Sequence, residues 1–500
     1  MSTHATPFLS LEHITVRYLD KTLFTGLDWH INKGENWAIT GPSGAGKSAL
    51  LSTIAGKFNV INGAIRHHFS DEYRQANTIT DPYFTYRDLL ALVGHHHTFR
   101  NRSNTTTDFY YQQRFNSMDS SDAPTVREYL YGESGGAPEQ TPILEPLKIP
   151  GLMDKELIKL SNGETRRVMI AKSLLKQPLL LMLDNPFSGL DIQTRRHFTE
   201  MVNKIIDNGT TVILVTSATE VPEHITHVMT LDEGRVTGKY TREEYLQIPQ
   251  PVTAQSWQVD EEKIRAIVKN TPSPYTTIIS MEHIKVQYGE HLILDDVNWL
   301  VKPNEKWALL GHNGAGKSTL LSLINGDNPQ AYAQQLYLFD RKRGSGESIW
   351  DIKKKIGFVS PELHQYFQAG SNCLQVVVSG FFDIIGSTRQ GTPEQQAHAA
   401  AWMDILDIGT YAGQPFKGVP ESVQRLTLLA RALVKEPPLL IFDEPCQGLD
   451  QQQKEHFKHV IDTLSNVMDL TMIFVTHYQE EIPSAVTKVL KLEKGRVILT

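Results

Sequence analysis

The sequence GPSGAGKS occupies residues 41–48, and GHNGAGKS occupies residues 311–318, 270 positions further along the chain. Both stretches fit the pattern Gly-x-x-x-x-Gly-Lys-Ser in full, and both follow an apolar segment, WAIT or WALL, that is typical of a strand. Glycines in this pattern let backbone N–H groups converge on phosphate oxygens at the start of a helix. The two copies therefore predict two nucleotide-binding domains of one design.

Each phosphate loop supplies two side chains with a defined chemistry. The lysine, Lys47 or Lys317, is expected to reach the β- and γ-phosphates, and the serine that follows, Ser48 or Ser318, to supply an oxygen to Mg²⁺. The implied cofactors are ATP and Mg²⁺. The loop residues predicted to bind ATP are Gly41, Pro42, Ser43, Gly44, Ala45, Gly46, Lys47, Ser48, Gly311, His312, Asn313, Gly314, Ala315, Gly316, Lys317, Ser318 and Thr319.

The repeat extends well beyond the phosphate loops. Residues 35–57 align with 305–327 without a gap, and residues 179–191 align with 438–450. Each half has the pattern of a strand, a phosphate loop, a helix, a long variable middle segment, a helix and two further apolar strands. Continuous apolar strands between helices predict an α/β fold with a mostly parallel sheet that is covered on both faces.

A chain of 500 residues is too long for one core and suits two or more domains. We predict a first nucleotide-binding domain over residues 1–245 and a second over residues 276–500. The segment between them, residues 246–275, is rich in Pro, Gln and Thr. It is predicted to be a linker that contains one short helix at 260–269.

The composition, with 40% hydrophobic and 21% charged residues, is that of a soluble globular protein. A net charge of −7 argues against a general nucleic-acid coat, and two cysteines exclude a disulfide framework and favour a reducing compartment. The N-terminus lacks a signal-peptide pattern, and no apolar run reaches the roughly 18–20 residues that span a bilayer. We expect a cytoplasmic chain without a transmembrane segment, whose membrane role would be peripheral, at the inner face of the plasma membrane.

A tyrosine precedes each phosphate loop at a matched distance. Tyr18 lies in TVRYLD and Tyr288 in KVQYGE, again 270 positions apart. An aromatic ring at this place can stack on adenine, and the alternative is a core tyrosine on an amphipathic strand. The matched spacing favours stacking, so both tyrosines are predicted to bind ATP.

Three motifs of the first half resemble those of ATP-binding cassette (ABC) ATPases. LSNGE at residues 160–164, a helix, LMLDNP at 181–186 and SGLD at 188–191 match the family's signature, acidic strand end and aspartate loop in type and order. The resemblance covers nearly the whole chain. It implies two P-loop NTPase domains, each with a helical subdomain, that pair head to tail around two ATP molecules and hydrolyse ATP to ADP and phosphate.

In this family each site joins the phosphate loop of one domain to the signature of the other. At the second phosphate loop, the resemblance implies that Asp443 acts on Mg²⁺ and that Glu444 orients or deprotonates the attacking water. It implies that His477 is the switch histidine and, with Glu444 and the loop lysine, a catalytic residue. Ser161 and Gly163 of the first domain would supply the opposing signature and are predicted to contact ATP.

One element of the family pattern is uncertain in both halves. Where the family carries its Q-loop glutamine, the second domain has Ser360 and Pro361, with Glu362 as a weak substitute. In the first domain, Gln112 and Gln113 are alternative candidates. The contact that couples the nucleotide site to a partner is therefore in doubt.

The site at the first phosphate loop departs from the family pattern. Asp184 is present as a predicted Mg²⁺ ligand, but Asn185 replaces the glutamate and Ser217 the histidine. An amide cannot accept a proton from water at neutral pH. The opposing signature has Pro420, which lacks a hydroxyl and a backbone N–H, and Glu421, whose charge repels triphosphate. We expect this site to bind ATP and to hydrolyse it poorly, the alternative being that both sites turn over.

Two functions remain open. One is the ATPase component or regulator of a transport system with a separate membrane permease, and residues 340–360 resemble a tandem branch of the family associated with molybdate uptake. The other is a non-transport ABC ATPase that acts on nucleic acid or the ribosome, which the missing charged linker and missing second glutamate disfavour. Basic residues at 341–343 and 353–355 form a local cluster that is interpreted as a solvated face or a partner contact.

Overall fold

The computed structural model of the chain describes residues 6–18, 21–94, 124–132, 147–157, 160, 162–187, 190, 192–248, 259–269, 272–360, 363, 367, 370–383 and 390–499. These residues fall into two compact units. The described residues up to 248 belong to the first unit, and those from 259 onwards belong to the second. The limits that we predicted for the domains and the linker stay predictions.

The first unit is an α/β structure. Its strands are β1 (Pro7–Tyr18), β2 (Lys21–Asn32), β3 (Trp37–Thr40), β4 (Val60–Arg66), β5 (Leu90–Val93), β6 (Leu180–Asp184), β7 (Thr211–Val215), β8 (His227–Asp232) and β9 (Arg235–Thr241). Its helices are α1 (Lys47–Ile54), α2 (His68–Ala76), α3 (Val126–Tyr131), α4 (Asn162–Leu174), α5 (Ile192–Asp207) and α6 (Arg242–Gln247).

The main sheet of the first unit has the strand order β5-β6-β7-β3-β8-β9 in its described part. Its pairs are parallel except for β8 with β9, which is antiparallel. Along β6, Leu180 and Met182 lie in one hydrophobic cluster, and Leu181 and Leu183 lie in another. Both faces of the sheet are therefore covered, which confirms the prediction of a mostly parallel, doubly covered sheet.

A second, antiparallel sheet with the order β2-β1-β4 packs over one face of the main sheet. Trp29 of β2 and Trp37 of β3 meet edge to face, with ring centroids 5.4 Å apart. Both rings are buried, at 0% and 4% exposure. These two tryptophans thus join the two sheets, and the sequence repeat alone did not predict this additional sheet.

The second unit repeats this plan. Its strands are β10 (Ile279–Tyr288), β11 (His291–Val301), β12 (Lys306–Leu310), β13 (Gln335–Leu338), β14 (Arg341–Lys342), β15 (Ile356–Val359), β16 (Leu439–Asp443), β17 (Met472–Val475), β18 (Lys488–Glu493) and β19 (Arg496–Leu499). Its helices are α7 (Glu261–Ile267), α8 (Lys317–Ile324), α9 (Ile349–Lys353), α10 (Cys373–Val378), α11 (Pro393–Ile405), α12 (Glu421–Leu433) and α13 (Gln451–Val467).

The sheets of the second unit correspond to those of the first. The main sheet has the order β15-β16-β17-β12-β18-β19, and the antiparallel sheet has the order β11-β10-β13-β14. Trp299 and Trp307 again meet edge to face between the sheets, at 5.6 Å. Helices α10, α11 and α12 pack together beside the main sheet as a helical layer.

The short helix predicted inside the linker is present as α7. Asp260 caps its start by accepting hydrogen bonds from the backbone N–H groups of Glu262 and Lys263. Ile264 is fully buried and packs with α11 and α13 of the second unit. Helix α7 is therefore part of the second unit's core. Among the described residues, no helix combines the length and the apolar character needed to cross a membrane.

Candidate nucleotide sites

The two phosphate loops have nearly the same backbone. Each loop leads from a central strand into a helix that starts at its lysine, and the glycine before that lysine is left-handed, with φ of 99° at Gly46 and 104° at Gly316. At Gly41, a Cβ atom would lie 2.0 Å from the carbonyl oxygen of Leu231. Glycine is required at these positions because other residues would be strained or would clash.

Each loop lysine bonds to carbonyl oxygens of its own loop. Lys47 Nζ donates to the carbonyl oxygens of Gly41 and Pro42, both at 2.7 Å. Lys317 makes the equivalent bonds in the second loop, at 2.7 and 3.2 Å. Both ammonium groups are thereby held beside the backbone that would surround phosphate.

Ser48 and Asp184, the predicted Mg²⁺ ligands of the first unit, lie together. Ser48 Oγ donates to Asp184 Oδ1 at 2.9 Å, so the end of β6 reaches the start of α1. Burial raises the pKa of the Asp184 carboxyl, although the hydrogen bond from Ser48 and the charge of Lys47 act in the opposite direction. Hydroxyl and carboxylate oxygens are ligands that suit Mg²⁺, so this pair fits the ion.

In the second unit, Ser318 and Asp443 hold the corresponding places. Ser318 is the second residue of α8, and Asp443 is the last residue of β16. Within the described residues, no group of three or more His, Cys, Asp or Glu side chains could hold a metal ion by itself. A site with few protein ligands is compatible with Mg²⁺, which keeps several waters and binds substrate phosphates as well.

The residues that follow the two acidic strand ends adopt one backbone conformation. Asn185 has a φ of 47° and Glu444 a φ of 49°. The N–H of each donates to the neighbouring strand at 3.0 Å, to the carbonyl oxygens of Val215 and Val475 respectively. The two side chains therefore start from equivalent points, and the sites differ there in chemistry alone.

In the second unit, the three predicted catalytic residues come together. His477 Nδ1 lies 2.8 Å from the carbonyl oxygen of Gly311 and 3.3 Å from Lys317 Nζ. His477 Nε2 lies 2.5 Å from Glu444 Oε1, an ion-pair contact that lacks good hydrogen-bond geometry. A carboxylate, an imidazole and an ammonium group thus meet at the phosphate loop, where the carboxylate could accept a proton and the ammonium group could contact phosphate.

In the first unit, Ser217 has a different set of contacts. Ser217 Oγ donates to Glu220 Oε2 at 2.8 Å, and the same carboxylate forms an ion pair with Arg195 of α5. Sequence reasoning missed this arrangement, because Glu220 and Arg195 belong to segments that carry no motif. The position of the expected histidine is therefore occupied by a hydroxyl that bonds to an ion pair.

The two predicted adenine-stacking tyrosines have different surroundings. Tyr18 is 51% exposed, and its ring contacts the ring of Phe58 at a centroid distance of 4.8 Å. Tyr288 is half-buried, and its hydroxyl accepts a hydrogen bond from Asn328 Nδ2 at 2.9 Å. Sequence reasoning missed Asn328, although a signal existed. The signal is that the gap-free repeat ends at residues 57 and 327, and that the next pair of equivalent positions holds Phe58 and Asn328.

The two predicted signature segments each continue into the start of a helix. Gly163 lies in the first turn of α4, where a Cβ atom would be 3.0 Å from Thr194 Cγ2. Pro420 directly precedes α12, and Glu421 is that helix's first residue. Ser161 and the Q-loop candidates Gln112, Gln113, Pro361 and Glu362 lie outside the described residues.

The basic cluster of the second unit is not one solvated face. Arg343 is 3% exposed, donates to Glu347 Oε1 at 2.6 Å and stacks over the ring of Tyr332 at 4.7 Å. Lys353 forms an ion pair with Asp327 at 2.8 Å. The interpretation as a solvated face is wrong for Arg343, because the turn after β14 directs its side chain inward.

Comparison with known proteins identifies the family of the chain. The ABC transporter family model matches residues 24–188 and 294–447. The ABC transporter ATP-binding protein ModF of Escherichia coli is 34% identical over 466 residues, which span 91% of each chain. An uncharacterized ABC transporter ATP-binding protein of Schizosaccharomyces pombe, C323.04, is 27% identical over 95% of this chain and 96% of that protein.

A shorter relative matches about half of the chain. The uncharacterized ABC transporter ATP-binding protein YlmA of Bacillus subtilis is 29% identical over 44% of this chain and 83% of its own length. The match to ModF extends over both halves, which confirms the expected resemblance to a tandem protein. The chain therefore belongs to the ABC transporter family as an ATPase with two ATP-binding cassettes in one polypeptide.

Proposed function

We propose that ATP is hydrolysed at the phosphate loop of the second unit, while the site of the first unit binds ATP and turns it over poorly. The observation that carries this proposal is the meeting of Glu444, His477 and Lys317 at one loop. The first unit has the same backbone with Asn185 and Ser217 in place of the glutamate and the histidine.

The chemical difference between the sites lies in proton transfer. The Glu444 carboxylate can accept a proton from an attacking water, whereas the Asn185 amide cannot do so at neutral pH. His477 has one ring nitrogen next to the loop carbonyl of Gly311 and the other next to Glu444, so it can orient the carboxylate. Mg²⁺ bound by Ser318 and Asp443 would neutralise charge on the phosphate oxygens.

The proposal includes the head-to-tail pairing that the family resemblance implies. Ser161 and Gly163 would complete the site of the second phosphate loop, and Pro420 and Glu421 would face the first. Several departures from the family pattern then belong to one composite site, the site at the first phosphate loop. They are Asn185, Ser217 and the altered signature at Pro420 and Glu421. Independent losses would not be expected to collect in this way, which supports both the pairing and the asymmetry.

The experiment that tests the proposal is a pair of matched substitutions at equivalent backbone positions. Glu444→Gln should lower kcat for ATP by about 10²–10⁴-fold, since a positioned general base contributes this much. Asn185→Asp is the matched control and should leave kcat near the wild-type value. ATPase activity near wild type in Glu444→Gln would show that the sites are assigned wrongly. A large gain in Asn185→Asp would show that Ser217 and the altered signature do not limit the first site.

For the biological role, we propose an ATPase component or regulator of a transport system, acting with a separate membrane permease. The similarity to ModF supports a transport relative, and the resemblance of residues 340–360 to the molybdate-associated branch makes molybdate the first candidate substrate. Affinity purification of the tagged chain with ATP, from membranes and from ribosomes in parallel, tests this role. Recovery with ribosomes alone would overturn it in favour of a non-transport ABC ATPase.

A further inference from the structure

The tyrosine of the second unit is tied to the helix that carries its phosphate loop. Asn328 Nδ2 donates to the Tyr288 hydroxyl at 2.9 Å and also to Ser322 Oγ at 3.1 Å. Ser322 lies on α8, the helix that begins at Lys317 of the phosphate loop. One side-chain amide therefore connects the end of β10 to α8, the helix that follows the phosphate loop.

The amide of Asn328 is itself fixed. Its Oδ1 accepts a hydrogen bond from the backbone N–H of Gln330 at 3.0 Å, and its own backbone N–H donates to the carbonyl oxygen of Ser322 at 3.1 Å. The residue is fully buried. Because the oxygen is occupied by a backbone donor, the nitrogen has to face Tyr288 and Ser322. A buried amide with satisfied partners is a rigid support for the tyrosine.

The first unit replaces this support with a different contact. Phe58 stands at the position equivalent to Asn328, and its ring lies 4.8 Å from the ring of the exposed Tyr18. A contact between two rings sets their separation but imposes no directional bond on the hydroxyl. Among the described residues, Tyr18 makes no hydrogen bond through its hydroxyl. Its ring is therefore less restrained than that of Tyr288.

We propose that Asn328 is a positioning residue that fixes Tyr288 for stacking on the base of ATP, and that Phe58 leaves Tyr18 adjustable. This inference rests on the proposed function and on the prediction that Tyr288 stacks on the base. Fixing a side chain before a ligand arrives removes the entropy cost of ordering it during binding. The second site therefore binds the base in a preformed arrangement, and the first site adapts to it.

The decisive variant is Tyr288→Phe in the full chain, because it keeps the ring and removes only the bonded hydroxyl. We expect the KM for ATP to rise about three- to tenfold with kcat at saturating ATP unchanged, the change that ordering one side chain would produce. Tyr83→Phe, at a tyrosine that is 86% exposed and outside both nucleotide sites, is the control and should leave both constants unchanged. Asn328→Ala should raise KM similarly, and the double variant Tyr288→Phe/Asn328→Ala should be no worse than either single variant.

Tyr288→Ala separates failure of the positioning role from failure of the predicted stacking. Failure of the proposed function is detected separately, as ATPase activity near wild type in Glu444→Gln. If Tyr288→Ala leaves the KM unchanged, Tyr288 does not stack on the base and the underlying assignment fails. If Tyr288→Ala raises the KM while Tyr288→Phe does not, stacking holds and the positioning role of Asn328 is overturned. Additive effects in the double variant would overturn it as well. Asn328 also caps the short 3-10 helix Pro329–Ala333, so a rise in KM in Asn328→Ala supports the positioning role only where Tyr288→Phe raises the KM as well.

Discussion

Asn185 and Glu444 occupy the same place in two copies of one sheet, with φ values of 47° and 49° and equal hydrogen bonds to the neighbouring strand. This hydrogen bond to the neighbouring strand holds the backbone in the same way in both units. A single side chain then decides whether a proton acceptor is present. A cassette can thus keep the backbone at this point of the sheet while the residue there changes from a carboxylate to an amide.

The two residues also differ in how well they suit that backbone. A left-handed conformation is unfavourable for most residues with a side chain, and Asn adopts it more readily than Glu. Glu444 thus holds a strained conformation, which is a common property of functional sites. Asn185 holds the same conformation at a lower cost, which fits the proposal that the first site hydrolyses ATP poorly.

Beyond Glu444→Gln, the largest effect that tests this comparison is expected from exchanging His477 and Ser217, the residues at the predicted switch position. His477→Ser should lower kcat for ATP by about 10²–10³-fold, the usual cost of removing one group that acts on charge in the transition state. Ser217→His should give no measurable gain, because Asn185 still cannot accept a proton. Steady-state ATPase assays on both variants check this, and a gain in Ser217→His would show that the histidine alone limits the first site.

Residue pattern was sufficient to predict the phosphate loops, the acidic strand ends and the doubly covered sheet, because each depends on local spacing and strand burial. It did not predict the partners of Ser217 or Tyr288. Glu220 with Arg195, and Asn328, come from segments without a motif, and their contacts depend on tertiary packing. Arg343 was misjudged for the same reason, since the turn after β14 buries a residue that composition alone places on the surface.

A smaller effect is expected on stability when the residues after the acidic strands are exchanged. Glu444→Asn should raise the free energy of unfolding of the second unit by up to about 1 kcal/mol, since the left-handed conformation costs roughly 1–2 kcal/mol for most residues and less for Asn. Asn185→Glu should lower the stability of the first unit by a similar amount. Calorimetry of both variants measures the change in the free energy of unfolding of the unit that carries the substitution. A change of the same sign in both variants would refute the strain argument.

The smallest effect is expected from Ser217→Ala, which tests whether the Ser217 hydroxyl of the first site has a structural role only. Its hydrogen bond to Glu220 is on the surface side, where such bonds contribute about 0.5–1.5 kcal/mol, and Glu220 keeps its ion pair with Arg195 after the change. We expect faster local hydrogen exchange around β7 and unchanged ATPase activity. Loss of activity in Ser217→Ala would mean that the first site contributes to turnover. Ser217 and His477 would then differ only in how much each contributes to ATP hydrolysis.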